Sequence, residues 1–187
     1  RMRCIQIGAI MSKKIVIISS TPRKNGNSSM LCDGFMKGAQ EAGHELEKIS
    51  LAEKEINYCT GCCSCVSKPG ACVQSDDMNA ILKKILAADI MVLASPVYFR
   101  SFNGQMKTFI DRVCPIYSMI HNKDVYFIAS AAGGSMPANS TFDSFRVFTG
   151  CLDVEEKGTI SITGFWDGGK AGNSSAMKEA YAMGKNV

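Results

Sequence analysis

Two stretches of the 187-residue chain concentrate groups able to do chemistry. The first, S-S-T-P-R-K-N-G-N-S-S at 19–29, follows the apolar run IVIIS (15–19) and precedes a segment whose apolar residues recur at helical spacing. A loop that leaves a buried strand and opens a helix presents unpaired backbone N–H groups and the positive end of the helix dipole, which favours an anion. Ser20, Thr21, Ser28 and Ser29 add hydroxyl donors, Asn27 an amide, and Arg23 a forked cation suited to bidentate contact with phosphate oxygens. Neither GxxxxGK[ST] nor GxGxxG is present here, which disfavours a nucleoside triphosphate or a dinucleotide and leaves a monophosphate. Helix capping by Ser28 or Asn27 is the competing explanation, but five donors beside Arg23 exceed what a cap needs.

The second stretch is rich in thiols. Cys59, Cys62, Cys65 and Cys72 give C-x2-C-x2-C-x6-C, with Cys63 beside the second. Three thiolates spaced by two residues can wrap one cuboidal iron–sulfur cluster, with a fourth supplied after the Lys68-Pro69-Gly70 turn. Zinc fits less well, because its four-cysteine sites separate two C-x2-C pairs by a longer loop. Redox-active thiols without metal are the third reading, and the spacing does not choose among the three. Cys32, Cys114 and Cys151 fall on predicted helix faces and read as small core residues. His44 and His121 read as surface or capping residues, and Asp111-Arg112 as an ion pair at a helix end. No nucleophile stands with an attendant base, so hydrolysis has no support.

These groups need elements to hold them. The runs IVIIS, IMVLAS (90–95) and VYFIAS (125–130) are apolar at nearly every position, as strands buried on both faces of a parallel sheet are. HELEKISL (44–51) and ISITGF (160–165) alternate and suit edges. Between them run helical stripes: Leu31, Phe35, Ala39 and Ala42; Ile81, Leu82, Ile85 and Leu86 after an Asp76-Asp77 cap; Met106, Phe109, Ile110 and Val113; and Phe142, Phe145, Phe148 and Leu152, with a last helix at 174–185. Such alternation predicts an α/β fold in which helices cover both faces of a parallel sheet. Ligands of such sheets sit beyond the carboxyl ends of the strands, where strand order reverses. There the third strand ends in ASPVYFRSFNG: Pro96 fixes a turn, and Tyr98 with Phe99 offers aromatic faces and N–H groups to a flat heterocycle, core burial being the alternative. The fourth strand ends in ASAAGGSMP, where Gly133 and Gly134 permit close backbone approach.

SSTPRKNGNSSML, ASPVYFRSFNGQMKTFIDR and the cysteine segment followed by DDM together resemble the flavodoxin-like NAD(P)H-dependent FMN reductases, and among them the iron–sulfur flavoprotein group. The resemblance runs from about Lys13 to the end of the chain. It implies a three-layer sandwich with a five-stranded parallel sheet in the order 2-1-3-4-5. It further implies that Thr21, Arg23, Asn27, Ser28 and Ser29 hold the FMN phosphate. Pro96, Val97, Tyr98, Phe99 and the Gly133-Gly134 region would hold the ribityl chain and isoalloxazine, and the cysteine motif a [4Fe-4S] cluster. Ser20 stands where the family commonly has glycine, so a loop needing positive φ at that position would weaken FMN binding.

The activity implied is hydride transfer from NAD(P)H to FMN and electron delivery to an acceptor such as a quinone, a flavin or a redox protein. An iron–sulfur flavoprotein or flavodoxin-like carrier without its own small-molecule substrate is the alternative. Carriers of that kind are usually strongly acidic, whereas this sequence has a pI near 8.6. The resemblance also implies a homodimer or homotetramer.

Composition bounds the rest. With 21 basic and 17 acidic residues spread along the chain, neither a nucleic-acid groove nor a membrane patch is expected. No apolar run approaches the roughly 20 residues of a membrane span, and Lys13-Lys14 follow the short apolar stretch near the start in place of a cleavage site. The expected compartment is the reducing cytoplasm. One domain over 1–187 is expected, with 1–12 as an N-terminal extension and 59–72 as a cysteine-rich insertion.

Overall fold

The computed structural model describes residues 11–187; Cys4 and the rest of the N-terminal extension up to residue 10 lie outside the described residues. β1 (Lys14–Ser19), β2 (Glu45–Ser50), β3 (Ile90–Tyr98), β5 (Lys123–Ala131) and β6 (Val154–Thr163) form a parallel sheet in the order β2-β1-β3-β5-β6. The five strands and their order are those anticipated. A two-residue strand, β4 (Ser101–Phe102), adds a sixth by folding back antiparallel on the end of β3. The alternating sequences of β2 and β6 do occupy the two edges.

Helices α1 (Asn27–Glu41) and α6 (Ser175–Lys185) cover one face; α3 (Met78–Ala87), α4 (Gly104–Asp111) and α5 (Ser135–Thr149) cover the other. The first layer is unusually close. A Cβ at Gly38 would lie 2.0 Å from the Tyr181 carbonyl, and one at Gly184 2.0 Å from that of Phe35, so both positions admit only glycine. No helix of the described residues is long and apolar enough to cross a membrane.

Three expectations fail locally. The stripe at 106–113 ends as an α-helix at Asp111, because Pro115 lacks an N–H and turns the chain into the 3-10 segment Cys114–Met119. Cys114 is therefore exposed rather than in the core, and Cys151 is exposed too, lying beyond the end of α5 at Gly150. Cys32 is buried as anticipated, and burial pushes its thiol pKa up to about 12. His44 is neither a surface nor a capping residue: it is buried, its Nδ1 accepting from Lys13 N at 3.2 Å while Nε2 donates to Val187 O. His121 stays at the surface beside Asp153.

Candidate functional site

The loop after β1 is sewn to its neighbours by buried polar groups. Ser20 donates both N–H and hydroxyl to Ala94 O, at 3.0 and 3.2 Å. Its own carbonyl accepts from the Asn103 amide at 2.7 Å, while Asn103 Oδ1 caps α4 through Met106 N. Ser20 is not among the residues with positive φ, so the glycine of the family pattern is not required and the doubt over its replacement falls away. A Cβ on Gly26 would lie 2.3 Å from Thr21 Oγ1, which shows how tightly the loop folds on itself.

At the mouth of α1 the donors stand free. No acceptor among the described residues takes the N–H groups of Asn27, Ser28 or Ser29. The Ser28 hydroxyl is fully buried and also has no partner. Buried polar groups are normally paired, so the Ser28 hydroxyl, standing among the three open N–H groups of the helix end, fits an anion that completes it. The Ser29 hydroxyl accepts from Lys48 Nζ at 3.0 Å, which leaves its O–H free to donate.

Sequence reasoning missed the segment that closes this loop. Between β6 and α6 the chain reads G-F-W-D-G-G-K-A-G, 164–172. Arg23 Nη1 donates to Trp166 O at 2.6 Å and Asn27 Nδ2 to Asp167 O at 2.9 Å. Asn27 Oδ1 accepts from Lys170 N and Ala171 N, and Gly169 N donates to Asn25 O. A Cβ on Gly168 would come within 2.6 Å of that same carbonyl. Arg23 and Asn27 thus latch the two segments together. The available signal was a glycine-rich, aromatic stretch at the carboxyl end of the last strand.

A recess of about 140 Å³ connects these parts, with Thr21, Arg23, Gly26 and Asn27 on one side and Pro96, Val97 and Tyr98 on the other. Ser130, Ala132, Phe165 and Trp166 complete it. Phe99 does not line it. Phe99 and Arg100 form the two-residue turn between β3 and β4 with φ of +48° and +67°, leaving the Phe99 ring fully exposed. Such turns favour Asn-Gly, and bulky residues held at positive φ are strained in a manner that gathers at functional sites. Gly133 and Gly134 do not line it either: Gly133 O accepts from Gly164 N, Gly134 precedes α5, and neither has positive φ.

The cysteine segment lies beyond β2 and is held mainly at its ends. Arg112, fully buried, donates from Nη1 to Asn57 O and Asp76 Oδ2, both at 2.7 Å, and from Nη2 to Asp76 Oδ1 at 3.0 Å. This forked pair holds the Asp76 carboxyl at a pKa of about 2. Asp76 also accepts from Asn57 N and Met78 N, and the Asn79 side chain pairs with both N–H and carbonyl of Cys72 at 2.8 Å. Arg112 therefore does not pair with Asp111, which turns back to Lys107, because adjacent helix residues face different directions.

Between these anchors Cys59, Cys62, Cys63, Cys65 and Cys72 line a small recess that also receives Cys114. The four-residue helix α2 (Ser64–Ser67) carries Cys65 and contributes no buried residue. The hydroxyl of Ser64 lowers the Cys62 thiol pKa, while desolvation and then Cys114 raise that of Cys65. No three Cys, His, Asp or Glu side chains among the described residues converge as a ready metal site. The donor chemistry nonetheless suits a thiophilic centre: the buried Arg112 Nε has no partner, and the Cys72 sulfur beside it would supply one once anionic.

The model of the family described as NADPH-dependent FMN reductase matches residues 13–164. The iron–sulfur flavoprotein MJ1083 of Methanocaldococcus jannaschii is 43% identical over 93% of this chain and 95% of its own length. An iron–sulfur flavoprotein of Archaeoglobus fulgidus is 47% identical over 54% of this chain, but the match spans only 46% of that relative. Among solved structures, an NAD(P)H:quinone oxidoreductase from Methanothermobacter marburgensis superposes with a TM-score of 0.75 at 17% identity, covering 94% of this chain and 97% of its own. An azoreductase from Bacillus anthracis str. Sterne gives 0.73 at 17% identity, covering 95% and 100%. These two likenesses establish the flavodoxin-like fold. The chain belongs to the NADPH-dependent FMN reductase family, in which it groups with the iron–sulfur flavoproteins.

Proposed function

We propose that the protein is an FMN-dependent oxidoreductase that draws electrons from NAD(P)H and passes them to an acceptor such as a quinone, a flavin or a redox protein. The observation that carries this reading is the set of four unsatisfied donors, the N–H groups of Asn27 to Ser29 and the Ser28 hydroxyl, beside a recess that runs to Tyr98. These donors, with Thr21 and Arg23, would hold the phosphate, and Pro96, Val97 and Tyr98 would flank the flavin. FMN, when bound, supplies acceptance of a hydride and release of electrons singly or in pairs. The chain's part is to bind, orient and leave one face open. Asn103 fixes the loop after β1 and, through its N–H to Ser95 Oγ, the end of β3, so the two walls keep one spacing. Half-exposed Tyr98 gives an aromatic surface where nicotinamide and acceptor take turns.

Cys59, Cys62, Cys65 and Cys72 are the proposed ligands of a [4Fe-4S] cluster; the names of the relatives at 43% and 47% identity support this. The exposed aromatic rings of Phe99 and Trp166 beside the recess support a homodimer or homotetramer with a neighbour over this edge. We place the protein, as one flavodoxin-like unit, in a reducing cytoplasm. A carrier role is favoured by the cysteine recess and opposed by the basic charge.

Fluorescence titration with FMN tests the reading. Arg23→Ala should weaken binding more than about tenfold, as the loss of a charge-assisted phosphate contact does, while Asp111→Ala leaves it unchanged. Equal effects would overturn the assignment. Oxidation of NAD(P)H with several acceptors then separates enzyme from carrier, since turnover no faster than with free FMN supports the carrier. An iron and sulfide assay after anaerobic purification decides the cluster.

A further inference from the structure

We propose that Cys65 and Cys114 form a reversible dithiol–disulfide couple that closes the cysteine recess when no metal occupies it. Their sulfurs lie 3.5 Å apart although the residues are 49 positions apart in sequence. Among the described residues no other pair of thiols makes such a contact. Cys65 sits on α2 and Cys114 opens the 3-10 segment after α4, so the bond would join two separate elements. Gly70 N donates to Pro115 O at 2.7 Å, which keeps the cysteine segment in register beside Cys114 independently of the sulfurs. A disulfide needs the sulfurs at about 2.05 Å, and the short α2, with nothing buried, can supply that approach.

The separation also argues against joint ligation of one cuboidal cluster, whose irons each take one thiolate and so hold the sulfurs farther apart than 3.5 Å. Cys65 belongs to the C-x2-C-x2-C run and Cys114 does not. Forming the couple withdraws Cys65 from that run, so the oxidised and metal-loaded states exclude each other.

The oxidant is a peroxide. One thiolate attacks hydrogen peroxide, breaking its O–O bond and releasing water as the sulfur becomes a sulfenic acid. The second thiol displaces that hydroxyl as another water while the S–S bond forms. Two electrons leave the sulfurs, one peroxide becomes two waters, and both thiol protons end in water. A dithiol reductant reverses the step by exchange.

The test uses the full chain after iron removal, oxidised with one equivalent of hydrogen peroxide, alkylated and digested with trypsin without reduction. The dominant product expected is a cross-link between the peptides carrying Cys65 (55–83) and Cys114 (113–123), fragmenting to a Cys65–Cys114 bond and lost on reduction. In Cys114→Ser this cross-link vanishes, while FMN content and iron loading stay at wild-type levels. A product dominated by bonds among Cys59, Cys62, Cys63 and Cys72 would overturn the proposal. So would a Cys114→Ser protein that loses iron as fully as Cys72→Ser, because Cys114 would then be a ligand.

Discussion

The loop after β1 and the cysteine segment after β2 both leave the carboxyl end of the parallel sheet and are held in opposite ways. In the first, Ser20, Asn27 and Asn103 are buried and bonded to three different elements, and the unsatisfied groups are a few donors at one point. In the second, Arg112, Asp76 and Asn79 pin the ends while Cys59, Cys62 and Cys63 lie exposed between them. In the proposed role the first is preorganised for an anion, so little ordering remains when it binds. The second leaves its middle to be ordered by what the thiols bind or by the bond they form.

Removing Arg112 should give the largest separation between the regions. Arg112→Ala leaves the buried Asp76 charge without its partner, a change that costs about 3–5 kcal/mol. Urea unfolding measures the loss, and FMN affinity of the folded fraction should hold. A fall in affinity as large as that of Arg23→Ala would mean that the two regions are one unit. The same pair gives an acid signature. Arg112 depresses the Asp76 pKa from 3.8 to about 2 in the folded chain, so the unfolded chain takes up the proton first. The stabilisation is complete above pH 3.8 and is lost as pH falls through about 2. Thiol accessibility should rise in that window ahead of any loss of the FMN site, and Asp76→Asn should remove the pH dependence.

Next in size is Gly26→Ala. Its Cβ would meet Thr21 Oγ1 at 2.3 Å and Cγ2 at 3.0 Å, so the loop must open to admit it. FMN binding should weaken by about tenfold, or about 1.4 kcal/mol, with iron loading unchanged. Loss of iron loading together with FMN would blur the distinction, and parallel titrations of both report it.

How far these regions could be read in advance follows from the kind of signal each carries. β1, β3 and β5 are apolar at almost every position because both their faces are covered, and their order followed from the flavodoxin-like resemblance. The stretch from Ser20 to Ser28 stands out in the sequence because donors cluster between a strand and a helix. The 164–172 segment was not, since its contribution is made largely by backbone carbonyls and N–H groups, which leave little trace in side-chain type. Cys114 reads as a core residue because it directly follows the apolar stripe that ends at Val113, whereas Pro115 turns the chain at Cys114 into a 3-10 segment that leaves its thiol outside. Phe99 was aimed at the recess although it tips a hairpin, because its neighbour is not the glycine that marks such turns.

The smallest expected effect is also the most discriminating. Ser28 carries a buried hydroxyl with no partner, and such a group costs the ligand-free protein stability that a bound phosphate would return. Ser28→Ala removes both the cost and the contact. The ligand-free variant should therefore be as stable as the parent or more so, by up to about 1 kcal/mol, while its FMN affinity falls about fivefold. Thermal unfolding with and without FMN reads the two signs in one experiment. A hydroxyl that only capped α1 would instead lower stability in both conditions and leave the FMN-induced shift intact, so opposite signs belong to a preorganised anion site alone.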